Sequence, residues 1–273
     1  MAEALTSTFY LSTDLTESVE HPIAHGTAVI FTARNPEREG PNEDAAAIIP
    51  AGHGRGVLVL ADGAGGYSHG EEASRLAVEA IEASVRNRDN TEEEMRTAIL
   101  NGVELANENI RALGVGAAST LAVVEIADEW IRTYHVGDSG IIATGQRGLI
   151  KTRTVDHSPT GYAIEAGFMN DREAIRHEER HLVTNIVGMA DMRIDIGASL
   201  QLARRDTVLM ASDGLFDNLQ FDHIVDRVRK GRLINAVNEL AAGAHRRMRS
   251  TAESQPSKPD DLTIIAYRPH PEM

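Results

Sequence analysis

Acidic residues stand at the ends of four apolar, strand-like runs, where carboxylates can bind metal ions. The four positions are Glu43-Asp44 before Ala45–Ile49, Asp62 after Val57–Ala61, Asp213 after Val208–Ser212, and Asp260 before Leu262–Ala266. Carboxylate oxygens are the ligands that hard divalent cations prefer. A site with two such cations can activate water against a phosphate ester. The pattern therefore indicates a metal-dependent hydrolytic site, provided that the fold brings the four stretches together.

Each acidic motif also has a simpler interpretation. An Asp-Gly pair after a strand is typical of a turn, in which the Asp side chain binds backbone amides and the Gly adopts a positive φ. Glu43 and Asp44 could be solvated loop residues, and Asp260 and Asp261 could be charges that protect a strand edge from aggregation. A single motif therefore leaves both interpretations open.

Composition narrows the class of protein and its partners. The chain has 273 residues, 42% of them hydrophobic, and a formal net charge of -14. Such a charge disfavours nonspecific binding to nucleic acid or anionic membranes, and we expect neither partner. The absence of cysteine excludes disulfides and thiolate catalysis and fits a reducing compartment. Residues 1–25 lack a signal-peptide pattern and no apolar run reaches about 18 residues, so we predict a cytoplasmic protein.

Hydrophobic periodicity predicts the elements that position the acidic residues. Short β-branched runs bounded by turn residues predict strands. They are Ala28–Thr32, Ala45–Ile49, Val57–Ala61, Thr120–Glu125, Ile131–Val136, Ile141–Thr144 and Thr207–Ser212. Apolar residues at helical spacing predict helices through Ala73–Ile81, Met95–Leu113 and Leu233–Met248. Because the helices are inserted between groups of strands, we predict an α+β fold in which helices cover antiparallel sheets.

The acidic motifs extend over most of the chain, which indicates one domain. We place this domain at residues 26–270, after an N-terminal segment of residues 1–25. Residues 158–192 are charged and lack clear periodicity, and we predict an irregular surface excursion with one short helix. His177 and His181 lie in this excursion, but their spacing is not that of a zinc protease.

Six motifs in one order resemble the protein phosphatase 2C family, the metal-dependent PPM class. They are Asn42-Glu43-Asp44-Ala45, Asp62-Gly63-Ala64-Gly65-Gly66, Gly137-Asp138-Ser139, Asp156-His157-Ser158-Pro159, Ala211-Ser212-Asp213-Gly214-Leu215-Phe216-Asp217 and Asp260-Asp261-Leu262-Thr263. The similarity covers nearly the whole chain and favours the bacterial-like branch of the family. It implies a four-layer α-β-β-α sandwich of two antiparallel sheets flanked by helices, with a metal pair at one end.

The resemblance also implies metal ligands, for two Mn²⁺ or Mg²⁺ ions. It makes Asp62 the bridge between the two ions, with the backbone carbonyl of Gly63 at one of them. Asp213 and Asp260 complete one metal site, and Glu43 serves the other.

Further roles follow from the same resemblance. Asp44 orients the reacting water, and Asp138 with Asp213 is similar to the pair that holds a weaker third ion. The family places a phosphate-binding Arg shortly before the Glu-Asp pair. Here the spacing differs, and both Arg38 and Arg34 are candidates because a guanidinium can bind two phosphate oxygens.

Two positions depart from the family pattern. Ala64 stands where eukaryotic members carry a His that is proposed to protonate the leaving group, so this chain cannot supply a proton from that position. Asp261 stands where many relatives carry Asn, which adds a negative charge beside the ligand Asp260 and could change metal affinity or preference.

We therefore predict a metal-dependent serine/threonine protein phosphatase, with phosphoproteins as substrates and a serine/threonine kinase or its targets as partners. By analogy, residues 158–192 form a flap beside the metal site, where selectivity is usually built. Two alternatives stay open. One is a weakly active or inactive phosphatase-like domain that binds a partner, which Ala64 and the altered Arg spacing would suit. The other is a phosphatase for a small metabolite.

Overall fold

The computed structural model describes residues 6–52, 54–64, 69–88, 92–250 and 257–270. Its strands are β1 (Thr8–Leu11), β2 (Val19–Ile23), β3 (Gly26–Ala33), β4 (Asp44–Gly52), β5 (Arg55–Asp62), β6 (Leu121–Ala127), β7 (Trp130–Val136), β8 (Gly140–Thr144), β9 (Ile150–Arg153), β10 (Asp195–Ile196), β11 (Leu200–Gln201), β12 (Thr207–Ala211) and β13 (Leu262–Pro269). Its α-helices are α1 (Gly70–Arg86), α2 (Glu92–Ala112), α3 (Pro159–Glu165), α4 (Asp171–Ala174), α5 (Asp213–Phe216), α6 (Phe221–Val228) and α7 (Leu233–Met248), and a 3₁₀ turn spans Glu178–His181.

The strands form two antiparallel sheets. Sheet one has the order β1-β4-β5-β6-β7-β10, with β11 also paired to β7, and sheet two has the order β2-β3-β13-β12-β8-β9. The register of β4 and β5 places Asp44 opposite Asp62. In sheet two, β12 lies between β13 and β8, and Ala211 pairs with Ile264. The acidic residues therefore stand at strand ends in both sheets.

Three buried apolar clusters separate four layers. One lies between sheet one and the helices α1 and α2, one between the two sheets, and one between sheet two and the helices α5, α6 and α7. Because successive side chains of a strand point to opposite faces, Ala45, Ala47 and Ile49 pack towards the helices while Ala46 and Ile48 pack towards the other sheet. The predicted α-β-β-α sandwich is confirmed.

Two short strands precede the first strand that periodicity predicted. β1 pairs with β4 at an edge of sheet one, and β2 pairs with β3 at an edge of sheet two. Both strands are partly exposed, so their residues lack a continuous apolar pattern. Each sheet thus takes an edge strand from residues 1–25, and the domain division at residue 25 stays a prediction.

The prediction of one short helix within residues 158–192 was wrong. The structure has two short α-helices and a 3₁₀ turn there, which begin at local capping residues rather than at an apolar stripe. Ser158 accepts a hydrogen bond from the backbone of Gly161 before α3, and Asn170 forms a capping box with Glu173 before α4. None of the helices in the described part of the chain has the length and apolar character that crossing a bilayer requires.

Candidate metal centre

The ends of strands from both sheets meet at one edge of the sandwich. From sheet one come Asp44, the first residue of β4, and Asp62, the last residue of β5. From sheet two comes Ser212, whose Oγ donates a hydrogen bond to Asp44 Oδ2 at 2.8 Å. The backbone N–H of Glu43 donates across the same gap to Asp261 Oδ2 at 2.8 Å. The predicted convergence of distant acidic motifs is therefore present in the fold.

Burial and mutual repulsion raise the pKa values of several carboxyl groups at this edge of the sandwich. Burial raises the pKa of Asp62 well above its ordinary value, and the charges of Asp44, Asp213 and Asp260 raise it further. Burial likewise raises the pKa of Asp138, with Asp213 as the largest charged contribution. A cluster of this kind is costly without a positive charge that offsets it. We call Glu43, Asp62, Gly63, Asp138, Asp213 and Asp260 the metal centre.

The donor chemistry of this centre fits a hard divalent cation. The buried Oδ1 atoms of Asp44 and Asp213 have no hydrogen-bond partner. An all-oxygen donor set suits Mg²⁺ or Mn²⁺, which keep several waters and need few protein ligands. Among the residues that the structure describes, no three acidic or histidine side chains converge closely enough to hold an ion as they stand.

Close backbone packing explains the glycine at position 63. Its N–H donates to the carbonyl of Glu43 at 3.2 Å, and it bridges to Ser119 on the other side. A Cβ atom at Gly63 would lie 2.1 Å from the carbonyl oxygen of Gly70, at the start of α1. Any side chain there would displace α1 from the metal centre. Gly65 and Gly66 lie outside the described residues.

The structure separates the two arginine candidates. Arg38 Nη2 lies 2.9 Å from Glu43 Oε2 and 3.1 Å from Asp261 Oδ2, beside the metal centre. Arg34 instead pairs with Asp14 at 3.3 Å, and its side chain is 54% exposed. Of the two candidates, only Arg38 contacts a residue of the metal centre among the described ion pairs.

Asp261 organises the loop that carries Arg38. Besides Arg38, its carboxylate accepts the backbone N–H of Asn35 at 2.6 Å and that of Glu43 at 2.8 Å. The sequence analysis expected an added negative charge next to the ligand Asp260. In the structure Arg38 compensates that charge, so Asp261 serves to hold the arginine and the Glu43 backbone together.

Comparisons with known proteins show the family to which the chain belongs. The family model for protein phosphatase 2C matches residues 34–249. The chain belongs to the protein phosphatase 2C family. Protein phosphatase PhpP of Streptococcus pneumoniae serotype 2 is 32% identical to this chain over 187 residues. The matched region covers 64% of this chain and 73% of PhpP.

Solved protein phosphatase 2C structures share the fold. The serine/threonine phosphatase of S. agalactiae superposes with a TM-score of 0.75 at 26% identity, over 88% of this chain and 98% of that one. The catalytic domain of the serine/threonine protein phosphatase PstP, in complex with two manganese ions, has a TM-score of 0.69 at 22% identity, over 88% of this chain and 96% of that one. The second likeness shows the shared fold alone.

Hydroxyl groups that the sequence analysis missed hold the backbone of Asp62. Thr120 Oγ1 accepts the N–H of Asp62 at 3.0 Å, and Ser119 Oγ donates to the carbonyl of Asp62 at 3.0 Å. Ser139, next to Asp138, lies 2.6 Å from Thr120 Oγ1. These hydroxyl groups link the Asp62 motif to the Asp138 motif. In the sequence, Ser119 and Thr120 are ordinary residues at the start of a strand.

Lys258 is the second feature that the sequence analysis missed. Its ammonium group lies against Asp213 and at 3.1 Å from both Asp217 and Asp260. The lysine follows a polar loop two residues before Asp260, and nothing in that loop marks it. A protein cation thus lies among carboxylates assigned to the metal centre.

His157 connects the flap to the Asp138 loop. Its Nδ1 accepts the N–H of Gly137 at 3.0 Å and the side-chain amide of Asn185 at 2.8 Å. Because Nδ1 accepts a backbone N–H, the proton of the neutral ring is on Nε2, which lies 3.1 Å from Asp195.

Proposed function

We propose that this protein is a metal-dependent serine/threonine phosphatase that transfers the phosphoryl group of phosphoserine or phosphothreonine directly to water. The observation that carries the proposal is the gathering of carboxylates from both sheets at one edge of the sandwich. Membership of the protein phosphatase 2C family and the likeness to the phosphatase of S. agalactiae support it.

Two cations, Mn²⁺ or Mg²⁺, would be held by the metal centre. Asp62 would contact both, the Gly63 carbonyl and Glu43 would serve one side, and Asp213 and Asp260 the other. Asp138 would join Asp213 for a weaker third ion. The bound cations supply Lewis acidity that activates water and neutralises phosphate charge. The manganese ions of the PstP structure support Mn²⁺ as the first ion to test.

The chain's own residues bind and orient the reactants. Arg38 has guanidinium N–H groups beyond those used by Glu43 and Asp261, and these can donate to two phosphate oxygens. Ser212 holds one oxygen of Asp44, and the unpartnered Oδ1 can accept a hydrogen bond from the attacking water. Ala64 carries no acidic group, so it cannot protonate the departing alkoxide.

Phosphoproteins are the substrates that we propose, with a serine/threonine kinase or its targets as the physiological partners. The name of the relative PhpP, a protein phosphatase, supports a protein substrate. A cytoplasmic location rests on the cysteine-free composition.

The proposal is tested with para-nitrophenyl phosphate and a phosphothreonine peptide, assayed with Mn²⁺ and with a chelator. Asp62→Asn and Asp213→Asn are each expected to lower Mn²⁺-dependent turnover by at least about 100-fold, since even outer-shell partners of a metal typically contribute roughly 10–100-fold. Asp222→Asn, at an exposed residue that pairs with Arg172, is the control and should keep full activity.

Turnover that survives both ligand substitutions would refute the assignment of the metal centre. Absence of turnover with every divalent ion would favour the binding-domain alternative. Rapid turnover of a sugar phosphate with an untouched peptide would favour a small-metabolite phosphatase.

A further inference from the structure

Lys258 is surrounded by three acidic side chains. Its Nζ contacts Asp213, Asp217 and Asp260, and we call these three residues the Lys258 cluster. The lysine side chain is 25% exposed, and the side chains of Asp213 and Asp217 are 18% and 13% exposed. Two of the three carboxylates, Asp213 and Asp260, are also assigned to the metal centre.

The charges in this cluster depend on one another. Burial by itself would lower the pKa of Lys258, but attraction to Asp213, Asp217 and Asp260 outweighs it and raises the pKa above its ordinary value. Because three carboxylates surround the ammonium group, it offsets negative charges that would otherwise repel one another.

We propose that Lys258 is a tethered counter-ion, which neutralises the Lys258 cluster in the metal-free protein and which a divalent cation must displace from Asp213 and Asp260. This inference rests on the proposed metal dependence. It names a residue of this chain that sets metal affinity, in addition to the ligands themselves.

Asp217 gives the displaced ammonium a place to remain. It contacts Lys258 at 3.1 Å but is not assigned to the metal centre. Its carboxylate can thus keep the lysine nearby while Asp213 and Asp260 turn to the ion. A divalent ion that binds Asp213 and Asp260 must break the two contacts of Lys258 with these carboxylates. The lysine therefore weakens metal binding, and it stabilises the protein before metal arrives.

The two effects of Lys258 have opposite signs, which makes them separable. Lys258→Met is expected to tighten Mn²⁺ binding about tenfold in isothermal titration calorimetry, because a competing charge is removed. The same change should lower the Tm of the chelator-treated protein by at least about 3 °C, because three carboxylates lose their counter-ion. Lys258→Arg keeps the charge and should leave the Tm close to that of the unchanged protein.

Arg180→Met is the matched control. Arg180 lies 3.9 Å from Asp217, and no ion pair joins it to Asp213 or Asp260 among the described residues. Its loss should change Mn²⁺ affinity less than about twofold. Equal tightening by Arg180→Met and Lys258→Met would overturn the proposal, since a general charge effect would then explain both. Unchanged or weaker Mn²⁺ binding by Lys258→Met would overturn it as well.

Amine labelling of the unsubstituted protein tests displacement directly. The chain has three lysines, Lys151, Lys230 and Lys258. Acetic anhydride labelling followed by peptide mass spectrometry should show a severalfold rise at Lys258 when Mn²⁺ is added. Lys151, which pairs with the buried Asp206 and is also 25% exposed, should not change.

The outcomes distinguish this inference from the proposed function. If Mn²⁺ binds and labelling of Lys258 stays constant, only the counter-ion role is overturned. If calorimetry detects no Mn²⁺ binding to any variant, both proposals fall.

Discussion

Arg38 is held in place by two carboxylates of the protein itself. Glu43 and Asp261 bind it from within the protein, and Asp261 also fixes the backbone of Asn35. An arginine restrained in this way loses little freedom when it binds a phosphate group, because its planar fork is already oriented. At the scale of single residues, Asp261 thus helps to orient the guanidinium group of Arg38.

Arg38→Met is expected to raise the KM for a phosphothreonine peptide by about 10-fold or more, since hydrogen bonds to charged groups contribute roughly 1.5–3 kcal/mol. Arg34→Met removes a largely exposed arginine that pairs with Asp14 and should leave KM within about twofold. Steady-state kinetics with saturating Mn²⁺ measures both. A larger effect from Arg34→Met would reverse the assignment.

The flap is fastened to the sandwich through a few buried polar contacts. Asn185 is buried, donates to His157 Nδ1 and to the carbonyl of Arg193 at 2.8 Å each, and accepts the N–H of Arg193 at 2.9 Å. His157 in turn accepts from Gly137, next to Asp138. At the scale of elements, the position of the flap and the shape of the Asp138 loop therefore depend on the same histidine ring.

Asn185→Ala is expected to loosen the flap, because it removes three hydrogen bonds and leaves buried groups unpaired. Limited proteolysis should then cut within residues 158–192 earlier than in the unchanged protein, and peptide KM should change more than Mn²⁺ affinity. Asn101→Ala, at an exposed position of α2, is the matched control. Equal effects on KM and on metal affinity would argue against separate roles for flap and metal centre.

At the scale of the whole molecule, buried carboxyls link stability to pH. Burial raises the pKa of Asp156 to about 7, and burial with repulsion from Asp213 raises that of Asp217 to about 6. A carboxyl whose pKa is higher in the folded state stabilises the fold while protonated, and this stability is lost as pH rises through the folded pKa. Burial lowers the pKa of His135 to about 3. This buried histidine therefore has the opposite effect, because it destabilises the fold increasingly as pH falls below its ordinary pKa of 6.5.

The chelator-treated protein should therefore have a higher Tm at pH 6.5 than at pH 8.0, where Asp156 and Asp260 are ionised. Mn²⁺ should raise the Tm more at pH 8.0, because the ion then finds deprotonated carboxylates. Asp156→Asn should reduce the pH dependence, since an amide stays neutral at both values. Thermal unfolding at the two pH values measures this. A metal-free protein that is more stable at pH 8.0 would contradict the prediction.

Local patterns in the sequence were enough to predict the central strands and to locate the acidic motifs. β4, β5 and β12 are buried on both faces, so their residues form continuous apolar runs that predict strands. β2 alternates between half-buried and exposed side chains up to its buried last residue, Ile23, and carries no such run. Lys258 could not be predicted because its contact with Asp213 joins residues 45 positions apart, and only the packing of β12 against β13 brings them together.

The position of β13 has a consequence for the timing of activity in a growing polypeptide. β13 follows every other described strand along the chain, yet it lies inside sheet two between β3 and β12. Asp260 stands two residues before its first residue, Leu262. A ribosome-bound chain that ends before residue 262 leaves a gap in this sheet between β3 and β12. We therefore expect dephosphorylation only after residues 262–269 have been translated and inserted, and no activity from shorter products.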